Sequence, residues 1–255
     1  MNQESKGKTF LNFAHRGASG YCPENTMAAF EKGLELGANG IETDVQMTAD
    51  GRLVLIHDET LVRTTNGAGR VMDLSWDEIR TKDAGSWFGS EFHGASVPVI
   101  EELFELAKDR DVILNVELKN SLYPYPGMEE ALVRSIREFG LESQVIVSSF
   151  NHYSLAHFKK LAPDMRTAIL YSAILHEPWT YAALIGSDAL HPPYRAVTAE
   201  WVKEAGKHGT VYHPYTVNDI ATMQTLIDIG VAGIITDYPD RLAALIGGGA
   251  GTGVR

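Results

Sequence analysis

Two histidines in this chain stand where an apolar run gives way to charge. In FLNFAHRG the run from Phe10 to Ala14 stops at His15-Arg16, and in LVLIHD it stops at His57-Asp58. Imidazole titrates near neutral pH, so two imidazoles from separate strands can take one proton and give another. In GIETDV, Glu42 and Asp44 are two residues apart, and in LNVELK so are Glu117 and Lys119. Residues two apart on a strand share a face. Three carboxylates gathered without a matching basic excess call for a cation. Oxygen-only ligation selects a hard divalent ion, Mg2+ or Ca2+, with Glu42, Asp44 and Glu117 as its ligands. Arg16 and Lys119 suit an anion, because Arg grips a phosphate through two parallel hydrogen bonds and Lys adds a point charge.

Each feature has a plainer reading when taken alone. An E-x-D pair also occurs on solvent-facing strands, and a lone histidine is usually a hydrogen-bonded structural one. His93, His152, His157, His176 and His208 take that reading. TADG lacks the twelve-residue spacing of an EF-hand loop, and GASG is no Walker loop. In PENT, Asn25 or Thr26 caps the next helix, which leaves Glu24 without a capping explanation.

The elements that must position these residues alternate along the whole chain. FLNFAH, GIETDV, VILNVEL, QVIVSSF, RTAILY, SDALHP, TVYHPYTV and GIITD read as strands. Most are short continuous apolar runs, the pattern of parallel strands covered on both faces. Helical patterns lie between them. Met27, Phe30 and Leu34 keep one face, as do Leu132, Ile136 and Phe139, and Gly140 marks a helix end. Eight strand–helix units in 255 residues favour a (β/α)8 TIM barrel over an open sheet. Catalytic groups are then expected at the C-terminal strand ends, where the charges above fall. TADGRLVLIHD reads as a hairpin turning at Asp50-Gly51. Residues 59–97 read as an insertion with one weak helix near SWDEIRTKD. A structureless loop of that length is uncommon, so a small subdomain over one barrel mouth is expected within a single domain spanning 1–255.

Composition narrows the function. The formal charge is −11, which argues against a broad nucleic-acid or anionic-membrane surface. The single cysteine, Cys22, excludes an intramolecular disulfide and reads as a small filler. No run of 18 apolar residues occurs, and the N-terminus has no apolar leader pattern. A soluble, cytoplasmic protein is expected, monomer or homodimer, with a frayed GGGAGTGVR tail.

At these residues the sequence resembles the glycerophosphodiester phosphodiesterase family. That family carries H-R-G…E-N-T, E-x-D, H-D followed by L-x-R-T-T, E-L-K, and T-V-N near the seventh strand. Here they stand in order as His15-Arg16-Gly17, Glu24-Asn25-Thr26, Glu42-Thr43-Asp44, His57-Asp58, Leu61-Val62-Arg63-Thr64-Thr65, Glu117-Leu118-Lys119 and Thr216-Val217-Asn218. The resemblance implies a TIM barrel with a subdomain inserted after the second strand, and a divalent metal on Glu42, Asp44 and Glu117. It implies His15 and His57 as the acid–base pair, Arg16 and Lys119 on phosphate, and Glu24 in the pocket. Tyr215 stands where the family commonly has Trp, next to the alcohol pocket. His191 and Tyr194 are further candidate substrate contacts. The implied activity is metal-dependent hydrolysis of a small phosphodiester to sn-glycerol 3-phosphate and an alcohol. The rivals are a lysophospholipase D on the same barrel, which needs an apolar patch such as Trp87-Phe88, and a non-catalytic barrel that binds phosphorylated metabolites.

Overall fold

The computed structural model describes residues 9–248. Eight parallel strands form the barrel: β1 (Leu11–His15), β2 (Gly40–Met47), β4 (Ile113–Leu118), β5 (Val145–Ser149), β6 (Arg166–Leu170), β7 (Ala189–His191), β8 (Val211–Tyr212) and β9 (Gly233–Thr236). Their order is β8-β7-β6-β5-β4-β2-β1-β9. The seam between β8 and β9 closes through backbone hydrogen bonds from Ala232 to Tyr212 at 3.0 Å, Ile235 to Pro214 at 3.0 Å and Val217 to Ile235 at 3.0 Å. The eight apolar runs read as strands all contribute. β3 (Leu53–Leu55) pairs antiparallel with β2 across the Asp50-Gly51 turn, so the hairpin is present as expected.

Alternate residues of each strand divide between two cores. Phe13, Ile146, Ala168, Ala189 and Ile235 fill the barrel interior. The Phe13 ring has room because residue 40 is glycine: a Cβ there would lie 2.5 Å from Phe13 Cδ1. The outward residues, such as Ile41, Leu114, Val116 and Val147, pack under the ring of helices. That ring comprises α1 (Met27–Glu35), α3 (Ile100–Ala107), α4 (Met128–Phe139), α5 (His152–Leu161), α6 (Pro178–Ile185), α7 (Ala199–Lys207), α8 (Ile220–Asp228) and α9 (Pro239–Gly248). Side chains of Thr26, Asn151, Thr198 and Asp219 cap the N-termini of α1, α5, α7 and α8. Of the glycine-rich tail, Gly247 and Gly248 continue α9 and the rest lies outside the described residues.

Residues 59–97 carry α2 (Trp76–Ile79), two 3-10 turns and a bridge between Thr60 and Arg70. Ser75 and Glu78 form a capping box at α2. Leu61, Val71, Ile79, Ala84 and Val97 pack with Val54 and Ile56 into a core separate from the main one. Trp87 and Phe88 meet edge to face inside this segment, at 5.6 Å between ring centroids.

The turn that follows β1 sets the site. Arg16 (φ 55°) and Gly17 (φ 79°) both adopt left-handed backbone. A Cβ on Gly17 would lie 2.4 Å from the carbonyl carbon of Ala29 in α1. Gly17→Ala should therefore destabilise the fold by roughly 2–4 kcal/mol, the sum of left-handed strain and overpacking. Urea unfolding measures this, and a loss below about 1 kcal/mol would mean that α1 can retreat at little cost.

Candidate active site

At the C-terminal end of the barrel a cavity of about 220 Å³ is lined by His15, Arg16, Glu42, His57, Glu117, Lys119 and Tyr215, among others. Asp44 lies against them, 1% exposed. β1, β2 and β4 are neighbours, with His15 level with Glu42 and Asp44 level with Glu117. The two-residue spacings therefore do what the sequence suggested: they aim acidic and basic groups from adjacent strands into one mouth.

Glu42, Asp44 and Glu117 each offer an oxygen, and these atoms lie within 4.8 Å of one another. Burial, then the charges of Asp44 and Glu117, push the Glu42 carboxyl well above its ordinary value. Burial and Asp44 push Glu117 up to about 7. Burial would also raise Asp44, but Arg16, His57 and Lys119 outweigh it and hold that carboxyl down at about 2. A converging all-oxygen donor set whose members repel one another fits a hard divalent cation.

Each imidazole is oriented by a carboxylate. His15 Nδ1 is 2.6 Å from Asp237 Oδ1, and His57 Nδ1 is 2.7 Å from Asp58 Oδ1. The Nε2 edge of His57 faces the cavity, with Lys119 Nζ at 3.2 Å. Burial, together with Arg16 and Lys119, lowers the His57 pKa, against the pull of Asp44 and Asp58. Lys119 also donates to Glu117 Oε1 at 2.9 Å and lies 3.8 Å from Asp44 Oδ1. The left-handed turn folds Arg16 back over the site. Its backbone N–H donates to Glu42 Oε2 at 3.0 Å, and its guanidinium meets Asp44 at 3.1 Å and Glu24 at 2.8 Å. Tyr215 supplies a wall: its hydroxyl donates to the Tyr171 carbonyl at 3.0 Å and its ring meets Phe150 edge on, with centroids 6.3 Å apart.

Three expectations change. Glu24 does not line this cavity, because its oxygens are taken by Arg16 and Arg63. His191 is fully buried, with Nε2 3.0 Å from His213 Nδ1; it ends a short strand on the face that points into the barrel, beneath the mouth. Tyr194 packs against the main core instead of the cavity. Asn25 and Thr26 divide their work. Thr26 caps α1, whereas Asn25 donates to Asp44 Oδ2 at 2.9 Å and accepts from Thr43 Oγ1 at 2.7 Å.

Asp237 was given no role by the sequence, and Asn218 entered only as the last residue of T-V-N. Asn218 Nδ2 donates to Asp237 Oδ2 at 2.6 Å, and Asp237 holds His15. The signal was available: in a closed barrel the last strand ends beside the first, so the polar residue of IITD must face His15.

A family model described as the glycerophosphoryl diester phosphodiesterase family matches residues 15–241. The chain belongs to that family. It is 48% identical to a glycerophosphodiester phosphodiesterase of Caldanaerobacter subterraneus subsp. tengcongensis, over 92% of this chain and 97% of the other. Among solved structures it resembles a glycerophosphodiester phosphodiesterase from Agrobacterium tumefaciens, with TM-score 0.81 and 31% identity over 91% of this chain and 98% of that one. It also resembles an Oleispira antarctica phosphodiesterase solved in complex with the product sn-glycerol-3-phosphate, with TM-score 0.82 and 30% identity over 92% and 96% of the two chains. The chain is thus an enzyme, a phosphodiester hydrolase on a TIM barrel. No helix among the described residues is long and apolar enough to cross a membrane.

Proposed function

We propose that this enzyme hydrolyses small glycerophosphodiesters to sn-glycerol 3-phosphate and an alcohol, with His57 as general base and His15 as general acid. The observation that carries the reading is the pair of carboxylate-backed imidazoles in one cavity with Arg16, Lys119 and three buried carboxylates. Arg16 and Lys119 take the charge of the phosphodiester. His57 has its Nδ1–H on Asp58 and its Nε2 turned to the cavity, and its lowered pKa keeps it neutral near pH 7, as a base requires. It removes a proton from the attacking hydroxyl: water's, which gives glycerol 3-phosphate directly, or the glycerol's own, which expels the alcohol and leaves a cyclic phosphate that a water then opens to glycerol 3-phosphate. His15, aligned by Asp237, gives a proton to the departing alcohol oxygen. A divalent ion, Mg2+ or Ca2+, held by Glu42, Asp44 and Glu117 would supply charge neutralisation at phosphorus. Phe150, Leu170 and Tyr215 form the less polar side of the cavity, where we place the alcohol. A water-soluble substrate of this kind fits a cytoplasmic enzyme.

The test is release of glycerol 3-phosphate from glycerophosphocholine, glycerophosphoethanolamine and a lysophospholipid, each with Mg2+, with Ca2+ and with a chelator. Metal-dependent release from the water-soluble diesters is expected. Turnover of the lysophospholipid alone would move the substrate to lipids, and tight product binding without any turnover would sink the catalytic reading.

A further inference from the structure

Arg63 belongs to the inserted segment, yet its guanidinium serves neither that segment's core nor the cavity wall. It forks between two carboxylates. Nε and Nη2 donate to Asp58 at 2.6 and 2.9 Å, and Nη1 and Nη2 donate to Glu24 at 2.7 and 2.7 Å. Each carboxylate in turn holds a cavity residue. Asp58 Oδ1 is 2.7 Å from His57 Nδ1, and Glu24 Oε1 accepts from Arg16 Nη1 at 2.8 Å. The result is one hydrogen-bonded chain, His57–Asp58–Arg63–Glu24–Arg16, with Arg63 at its centre.

The neighbouring residues fix Arg63 in place. Leu61 is fully buried in the insertion's core. Thr65 closes the turn, its N–H and hydroxyl both donating to the Leu61 carbonyl, at 3.0 and 2.7 Å, while its hydroxyl accepts from the Gly67 N–H at 2.9 Å. The L-x-R-T-T stretch is thus a buried anchor, an outward arginine and a turn lock. We infer that Arg63 is a positioning residue through which the inserted segment holds the imidazole of His57 and the guanidinium of Arg16 in one geometry. The inference rests on the proposed roles of those two residues. A lysine cannot replace it, because a point-charge ammonium cannot span two carboxylates with paired bonds.

The charged groups facing His57 are Asp58, Asp44, Arg16 and Lys119. Arg63 holds the Asp58 carboxyl well below its usual range, chiefly by direct hydrogen bonds. Without Arg63, Asp58 is left to stabilise the imidazolium alone, so the His57 titration should move upward.

The test compares Arg63→Gln, Arg63→Lys, Asp58→Asn and the Arg63→Gln/Asp58→Asn double variant. Arg70→Gln is the control, since it breaks an exposed pair with Asp73 in the same segment. Arg63→Gln should lower kcat by about 10- to 100-fold, the cost of misplacing reacting groups by about 1 Å, and should raise KM through Arg16. Arg63→Lys should stay at least about tenfold below the wild type in kcat/KM. Arg70→Gln should stay within about twofold. Adding Arg63→Gln to Asp58→Asn should cost less in kcat than Arg63→Gln alone, because the two act as one unit. NMR of the His57 imidazole should show its midpoint raised by about half a pH unit or more in Arg63→Gln. Near-wild-type kcat and KM in Arg63→Gln, fully multiplicative losses in the double variant, or an unmoved imidazole would each overturn the inference. A wild type that cleaves no glycerophosphodiester would instead overturn the functional reading, and the imidazole titration, which needs no turnover, would still decide the role of Arg63. Should Arg63→Gln fail to fold, Arg63→Lys carries the same comparison.

Discussion

His57→Ala is expected to lower kcat by roughly 10²- to 10⁴-fold, the usual contribution of a positioned acid–base group. The fold should survive, because the side chain is 32% exposed and its removal leaves Asp58 still paired with Arg63. The loss should appear in kcat more than in KM, since Arg16 and Lys119 carry the phosphate contacts in the proposed mechanism. His57→Gln keeps a polar side chain of similar length but cannot cycle a proton, so it should fall to a similar level. The pH dependence has a defined sign. Burial favours the neutral ring, so protonation of His57 requires a pH below its ordinary 6.5. The wild-type kcat/KM should therefore hold from neutrality down to below that value and then decline as the base is protonated. His57→Ala should lack that limb. Steady-state kinetics across pH test both statements, and turnover within about tenfold of wild type would remove His57 from the base position.

The barrel was legible because its strands are short apolar runs and its helices carry a 3.6-residue stripe, signals that survive without any knowledge of contacts. The residues that meet at the cavity were legible for a related reason. A charge at the end of a buried run has few structural uses, so His15, Glu42, Asp44, His57, Glu117 and Lys119 stand out against their own strands. What the sequence did not expose is pairing across the fold. Asp237 reaches His15 only because the last strand closes onto the first. Asn25 reaches Asp44 only because it, like Arg16, adopts left-handed backbone at φ 55°. Glu24 lay in a motif but holds arginines outside the cavity lining, and nothing local distinguishes a carboxylate that binds a ligand from one that orients a ligand's partner. His191 misled for a geometric reason: its inward side chain is covered by another, packing on His213, which itself lies against Phe13 in the barrel interior, so it does not open to the cavity.

In the proposed mechanism turnover requires a divalent ion on the carboxylate cluster, and the cluster predicts how affinity for that ion varies with pH. A chelator is expected to lower the rate by at least about 100-fold, since an ion at phosphorus contributes several kcal/mol. Glu42→Ala should weaken metal affinity and carry the activity loss with it. In the cation-free site Glu117 titrates near 7 and Glu42 well above its ordinary value. Both must be ionised to ligate, so a cation displaces protons. Apparent affinity should rise with pH through about 7 and fall below it. Calorimetry in buffers of different ionisation enthalpy should show proton release on binding. Stability of the cation-free protein should run the other way. The folded pKa of Glu117 lies above its ordinary 4.5, so between 4.5 and about 7 the folded state binds more protons than the unfolded one. Raising the pH through that window therefore destabilises the cation-free fold, and saturating metal should reverse the trend. Metal affinity that does not vary from pH 6 to pH 8, or that persists in Glu42→Ala, would mean that the cation lies elsewhere and that Lys119, at 2.9 Å from Glu117, is that carboxylate's working partner.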